Sequence, residues 1–433
     1  MQARSAAAQR GYRYLIETPV LTPDFDQETF DQVWRAWPES LRKQAENADL
    51  ETRRAMAFER YGLTPRPGDD SGKPLQYVVD GAGQWTMNCF ACHGGSIAGR
   101  STPGAPNRHF GLQTLTEEIR KTKTLIGKPF SRMDLGALVI PLGGTHGTTN
   151  AVVFGMGLMS NRDTDLNYIP KPPQWFTHHD MDAPAWWNFH KRPNLYIDGF
   201  AEKGHRGLMQ FTLIPENGAD VFREREDSFR DVYAFLESLR PPKFPGPIDA
   251  QLASRGQRVF LENCKTCHGS YGDDPSYPNR RVPLDVVGTD PVRLTALSVA
   301  GRTKYAESWF AVRDDGSRQD ITRDPDGYVA PPLDGISMSG PYFHNGSVPT
   351  LWHVLRPGKR PTIWRTLGDE LDLQRVGIAF EEVQRVPHES DDIAFKRRHF
   401  DTRRFGKSNT GHDFADGLNE AEKVALLEYL KTL

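Results

Sequence analysis

Four cysteines occur in this chain, and each belongs to one of two copies of a single pattern: Cys89-Phe90-Ala91-Cys92-His93 and Cys264-Lys265-Thr266-Cys267-His268. Cys-x-x-Cys-His is the spacing at which two thiols form thioethers to the vinyl groups of a haem and the adjacent imidazole reaches the iron from one side. Two intervening residues put the sulfurs about one helical turn apart, so the following His points at the ring centre. Rival chemistries are zinc, a thioredoxin-like dithiol and structural disulfides. Zinc ribbons pair their units roughly 15–20 residues apart, whereas Cys89 and Cys264 are 175 positions apart. A redox dithiol does not need His in the fifth position. The pattern predicts two covalently bound haem c groups, held by Cys89, Cys92, His93 and by Cys264, Cys267, His268, and leaves no thiol for a disulfide.

An iron closed on both sides transfers electrons, and an open one can do chemistry. The sixth ligand of a cytochrome c typically comes from the loop before the terminal helix. For the second haem that loop holds His412, the first candidate; His344 is the second, followed by Met338 and His353. The corresponding segment of the first half, Gly204 to Phe222, offers His205 and Met209, with Phe211 beside them, and His146, His178, His179 and His190 lie upstream. None of these dominates, which is compatible with an open first iron. Ligating imidazoles usually donate their other ring N–H to a carbonyl, and the Pro-rich loops at Pro103/Pro106 and Pro278 are in sequence reach to present it. Trp175, Trp186 and Trp187 are candidates to line a pocket and Trp85 to support passage between haems; for each, core packing is the plainer reading.

The elements that must carry these groups are mainly helical. Asp227 to Leu239 places Phe229, Val232, Leu236 and Leu239 at helical spacing ahead of Pro241-Pro242, and Asn419 to Leu433 repeats the design with Val424, Leu427 and Leu430. Gly256, Phe260 and Cys264 recur every four positions in an opening helix that a Gly lets the terminal helix cross. The first half lacks a clean equivalent in Tyr77–Met87, which contains Gly81 and Gly83, so one domain reads as orthodox and the other as modified. Asp26–Trp37, 38–48 and 52–61 read as helices. So does 115–126, opened by a capping-box pattern from Thr114 to Glu117. Long irregular stretches occupy about 131–226 and 283–410. With Pro241–Pro247 as linker, the expected architecture is two cytochrome c-type haem domains with long loop insertions, 1–245 and 246–433.

Composition narrows the class further. With 54 basic against 56 acidic residues in 433, the chain shows no polyanion-binding charge, so nucleic acid is not expected. The most apolar runs, Leu135–Leu142 and Ala151–Met159, are too short to span a membrane. No secretory leader is visible in Met1–Arg13, yet haem c is attached outside the cytoplasm; a periplasmic or secreted mature chain with its leader removed is expected.

Beyond the two haem motifs, Tyr328–Gly335, Pro341–Leu351 and Asn409–Leu433 give the chain a resemblance to the bacterial di-haem cytochrome c peroxidase superfamily, and within it most of all to the di-haem rubber oxygenase group. The resemblance covers the second half well and the first less specifically. Where classical peroxidases place a Met ligand after the His344 position, this chain has Gly358. The resemblance therefore implies a second haem ligated by His268 and His412. It also implies a first haem with His93 proximal and an open face toward O2 or peroxide lined by Phe211. A Ca2+ between the domains is common in the superfamily, although no acidic cluster here names its ligands. Implied activities are oxygenative cleavage of a small, unsaturated apolar substrate, or peroxide reduction fed by a small cytochrome or copper protein. The remaining alternative is an electron carrier with both irons six-coordinate.

Overall fold

One helix pair in each half frames the molecule, and in both pairs a glycine sits at the crossing. The computed structural model describes residues 4–172 and 174–433. In the second half Ala250–Asn263 packs against Glu420–Leu430, and a Cβ on Gly256 would lie 1.9 Å from the Ala425 carbonyl oxygen. In the first half Ala6–Glu17 packs against Glu226–Ser238, and a Cβ on Gly11 would lie 2.0 Å from the Asp231 carbonyl oxygen. The two opening helices also repeat in sequence: Arg10-Gly11, Arg13, Leu15 and Glu17 match Arg255-Gly256, Arg258, Phe260 and Glu262.

This corrects the expectation that a modified opening lies in Tyr77–Met87. That segment is a hairpin, Tyr77–Val79 with Gln84–Met87, joined by the short strand Phe25–Asp26. The first half's opening helix is intact but far upstream. Residues 18–88 intervene between Glu17 and Cys89, where the second half has only Asn263 between Glu262 and Cys264. The inserted residues build an aromatic core of their own from Phe25, Phe30, Trp37, Tyr61, Tyr77 and Trp85. Trp85 stacks on Phe30 with centroids 4.3 Å apart and donates its indole N–H to Gln27 at 3.0 Å, so its place is in that core.

Other expected elements shift in detail. The helix read as 115–126 runs Leu112–Ile126 from Gly111 with no side-chain cap; Thr114 lies inside it, buried against the His146 ring. The stretch at 131–226 is not wholly irregular, since it contains the apolar helix Ala151–Ser160. Val424 faces outward while Leu427 and Leu430 are buried. In the second half, the 283–410 enlargement carries the longest strands, Ile363–Asp372 paired with Gly377–Glu382. Residues that follow this hairpin grip the first half through Arg397 with Glu117 (2.7 Å) and Asp392 with the buried Arg60 (2.9 Å), which also pairs with Glu118. The fold is mainly α, with these short sheets on its loops.

The halves duplicate a second feature. Ala183-Pro184 and Ala330-Pro331 each precede, by the same twelve positions from the proline, an aromatic residue in left-handed conformation: Tyr196 (φ +67°) and Phe343 (φ +68°). Each aromatic starts a turn closed by a glycine, with Gly199 N–H donating to Tyr196 O (3.2 Å) and Gly346 N–H to Phe343 O (3.1 Å). The two copies interlock reciprocally. Asp182 N–H donates to the His344 carbonyl at 3.0 Å, and Val329 N–H donates to the Ile197 carbonyl at 2.7 Å. Each donor stands two residues before its proline and each acceptor one residue after its aromatic, so the same patch serves both halves, as at a two-fold interface.

Gly11→Val and Gly256→Val each force a side chain into a backbone carbonyl and are expected to lower stability by about 1–3 kcal/mol. Gly81→Ala, which meets nothing within 4 Å, should leave the thermal midpoint nearly unchanged.

Candidate functional site

Backbone hydrogen bonds hold each motif in place. In the first, Phe90–His93 forms one helical turn in which His93 N–H donates to Cys89 O at 3.2 Å. Asn88 steadies its start, accepting from Phe90 N–H (2.9 Å) and donating to Leu75 O (3.0 Å). The loop holding Pro103 and Pro106 clamps the turn from below: Gly104 N–H donates to His93 O (2.7 Å) and Asn107 N–H to Cys92 O (2.8 Å). That loop does not present a carbonyl to the His93 ring, as the sequence reading expected. The carbonyl comes from Pro184, 3.1 Å from His93 Nδ1. In the second motif it comes from Pro331, 2.9 Å from His268 Nδ1, and not from the Pro278 loop. A carbonyl can only accept, so Nδ1 carries the proton in both rings and each Nε2 keeps a free lone pair for a metal.

The surroundings of the two imidazoles differ. Trp186 stacks on the His93 ring, centroids 4.4 Å apart and planes 21° apart, with Phe90 behind it. Burial pushes His93 down to about 4 against the partial support of the Pro184 bond. His268 is lowered too, again by burial first, and its ring faces His412 at 6.2 Å between centroids. At metal–nitrogen bonds of about 2 Å, that separation would leave room for both imidazoles to hold one metal ion. His412 is held by its own N–H to Val287 O (2.6 Å), and Arg360 fixes its loop through the carbonyls of Asn409 (2.6 Å) and Gly411 (2.7 Å). Its Nδ1 is buried without a protein partner, a lone pair or N–H that the fold itself does not satisfy.

Thiol chemistry separates the readings left open by the sequence. A redox dithiol needs a thiolate, yet burial raises the Cys89, Cys92 and Cys264 thiols, to about 11, 12 and 11. All four cysteines are unpaired with one another. Among the described residues, the only convergent group of three His, Cys, Asp or Glu ligands is His205, Glu226 and Asp314, so neither motif forms a zinc cage. Even that trio is spoken for, because Arg206 and Arg230 sit on Glu226 at 2.6 and 3.1 Å and supply the charge a cation such as Ca2+ would bring. Paired cysteines beside an imidazole with a bare Nε2 fit a haem attached through Cys89/Cys92 and Cys264/Cys267, with His93 and His268 as proximal residues.

The remaining candidates are engaged elsewhere. His344 packs on Tyr328 (4.6 Å), and burial first, then the nearby Arg293 and His179, push it down to about 3. His353 bonds Thr350 Oγ1 at 2.7 Å. His205 pairs with Glu226 at 2.9 Å, His146 lies against Thr114 (3.3 Å), His178 against Asn150 (3.1 Å) and His190 against the Trp187 carbonyl (2.9 Å). His179 bonds the Thr177 carbonyl at 3.0 Å. Met209 and Met338 are core residues. Phe211 lies in the short turn Met209–Thr212 with about half its surface exposed, and Trp175 is fully exposed. Trp186, Pro184 and Pro331 carry the local geometry of the two motifs. The repeated Ala-Pro at equal spacing from Tyr196 and Phe343 is the signal by which the sequence displays the prolines.

Residues 327–365, which contain Pro331 and the His344 turn, match the family model described as RoxA-like, cytochrome c-like. Two curated relatives from Sinorhizobium fredii (strain NBRC 101917 / NGR234), both described as uncharacterised proteins, are similar over less than half of this chain. One is 33% identical over 45% of this chain and 41% of its own length; the other is 29% identical over 46% and 52%. The chain thus spans about half the length of the curated relatives it matches. Among solved structures, it is similar to the hydrazine synthase of Kuenenia stuttgartiensis (15% identity, TM-score 0.29, 65% of this chain and 87% of that one). It is also similar to a MauG-like protein associated with microbial copper homeostasis (16%, TM-score 0.31, 66% and 89%). The family match supports the resemblance to the di-haem peroxidase-like superfamily and the cytochrome c-like character of the second half. Among the described residues, no helix is long and apolar enough to cross a membrane.

Burial lowers His344 to about 3 and His353 to about 4, so the unfolded chain binds their protons first as pH falls. Stability is then complete above about pH 6.5 and declines toward pH 4, by about 1–3 kcal/mol per group at most. Thermal midpoints at pH 7.5 and 4.5 should differ accordingly, and His353→Gln should reduce the difference.

Proposed function

We propose that this chain is a di-haem c-type oxidoreductase of the extracytoplasmic space. Haem attached at Cys89/Cys92 would react with O2 or peroxide, and haem attached at Cys264/Cys267 would relay electrons. One observation carries the division of labour: the His268 ring faces a second imidazole, His412, at 6.2 Å, whereas the ring against His93 is the indole of Trp186. Haem bound at these positions supplies an iron that binds oxygen species and exchanges electrons. What the protein's own residues do is narrower. Pro184 and Pro331 hold the Nδ1 protons, leaving Nε2 of His93 and His268 as donors. Arg360 and Val287 hold the His412 loop in place. Burial lowers the proton affinity of all three imidazoles, which favours the neutral form that a metal-binding nitrogen would need.

The resemblance assigns Phe211 to the open face; it stands half-exposed in the turn Met209–Thr212. Of the two enzyme readings, oxygenative cleavage of an unsaturated apolar substrate is put first because of the long insertions with their Trp and His residues; the match at 327–365 supports a haem c oxidoreductase of either kind. Peroxide reduction with a small cytochrome or copper protein as donor is the second reading. The electron-carrier alternative requires a protein ligand on the far side of both irons.

Intact mass should show two haems. The ferric protein should display one low-spin and one high-spin or weakly ligated haem, with CO binding to the reduced first haem only. His412→Ala should convert the second haem to a CO-binding form; an unchanged spectrum rejects His412 as its ligand. O2 uptake with an alkene, set against peroxide turnover with a reduced cytochrome, separates the enzyme readings. Two low-spin haems that bind neither CO nor O2 would favour the electron carrier.

A further inference from the structure

The two carbonyls that orient the proximal imidazoles belong to loops that are bonded to each other. Pro184, the His93 partner, is followed within four residues by Trp187 and Asn188; Pro331, the His268 partner, is followed by Pro332, Leu333 and Asp334. The Trp187 indole N–H donates to the Asp334 carbonyl at 2.9 Å, and the Asn188 amide donates to the Pro332 carbonyl at 3.1 Å. Lys191 adds an ion pair to Asp334 at 2.7 Å. Trp187 is fully buried, and its ring lies on Gly335, where a Cβ would come within 2.7 Å of the indole nitrogen. On the other side of each loop, the reciprocal bonds of Asp182 to His344 and Val329 to Ile197 tie the residue two before each proline to the opposite half.

We propose that Trp187 and Asn188 are positioning residues for both haems: they lock the Pro184 and Pro331 carbonyls into one hydrogen-bonded bridge, so that the proximal imidazole in each half is oriented through the other. The inference rests on the di-haem reading above but not on which reaction the first iron performs. Its physical basis is that the partner of the distal ring N–H sets ligand orientation and basicity, and through them the iron's potential. A carbonyl fixed by a bond from the opposite half makes that partner shared. Neither side chain is placed against an iron-facing ring nitrogen: Trp187 and Asn188 spend their donors on Asp334 and Pro332. The connection is also asymmetric, because both side-chain donors come from the first half and both acceptors from the second.

The test removes donors while keeping shape. Trp187→Phe deletes the indole N–H, and Asn188→Asp replaces a donor with an acceptor of the same size. Trp37→Phe is the control: it deletes a buried indole N–H to Tyr61 (2.8 Å) within the core inserted at 18–88. Purified holoprotein of each variant is followed by redox titration and by low-temperature EPR of the ferric state. If the bridge positions both imidazoles, each variant moves the EPR signature of both haems. It also changes the reduction equilibrium of each by about threefold, roughly 30 mV for a one-electron couple, while Trp37→Phe moves neither. A shift confined to the first haem, or no shift in folded protein with two haems, overturns the bridge and leaves the di-haem reading standing. An intact mass showing fewer than two haems in the wild-type protein overturns both. Because Trp187→Phe alone could open a cavity, Asn188→Asp, at a partly buried position, provides the independent measurement.

Discussion

The hydrogen bond from the imidazole of each Cys-x-x-Cys-His motif to a proline carbonyl is the constraint on which the rest of this structure depends. His93 needs the Pro184 carbonyl and His268 the Pro331 carbonyl, and in neither case is that carbonyl near in sequence. The chain must therefore return over the motif from 91 residues away in the first half and 63 in the second. The return segment has to be rigid enough to hold an acceptor to within a few tenths of an ångström. Proline helps by fixing its own φ, and the left-handed turns at Tyr196 and Phe343 anchor the chain twelve residues further on. Once both return segments exist, packing them together satisfies their remaining backbone groups, which is why the halves interlock through the same residues reciprocally.

The seam so formed is polar, and its charges are closely matched. Asp198, completely buried in the turn after Tyr196, accepts from Arg302 at 2.8 Å and lies 3.5 Å from Arg293; both arginines belong to the second half. Removing one member of such a buried set leaves an uncompensated charge, at a cost of roughly 3–5 kcal/mol. The seam therefore acts as a specificity device more than as a source of net stability: it permits one register between the halves and makes others expensive. Arg60 with Glu118 and Asp392 plays the same part at the far end, joining the inserted core of the first half to the enlargement of the second.

Duplication explains much of the fold, and the 18–88 insertion explains why it was hard to see. The helix pair that frames each half is set by a glycine whose missing Cβ lets backbone meet backbone, and both pairs have kept it. In the second half the opening helix runs directly into its Cys-x-x-Cys-His turn. In the first the chain leaves for an aromatic core of its own and returns as a hairpin, so Cys89 is approached from a strand. Resemblance between Arg10–Glu17 and Arg255–Glu262 was present in the sequence throughout; what concealed it was the distance from the motif to which such a helix normally connects.

By itself the sequence carried the reading of haem attachment, because Cys-x-x-Cys-His is a local pattern whose meaning depends on spacing within five residues. It also determined the helical character of the closing elements, since amphipathic periodicity is local as well. It singled out His412 as the first-choice second ligand from its place before the last helix. Only the tertiary structure decided which carbonyl each imidazole uses, and it chose Pro184 and Pro331 over the loops nearest each motif. It alone set the Trp186 indole against one ring and the His412 imidazole against the other, and joined the two proline loops through Trp187 and Asn188. The reason is physical: a hydrogen bond or a stacked ring is specified by distance in space. Residues that are 63 to 147 positions apart carry no local signal of the contact they will make.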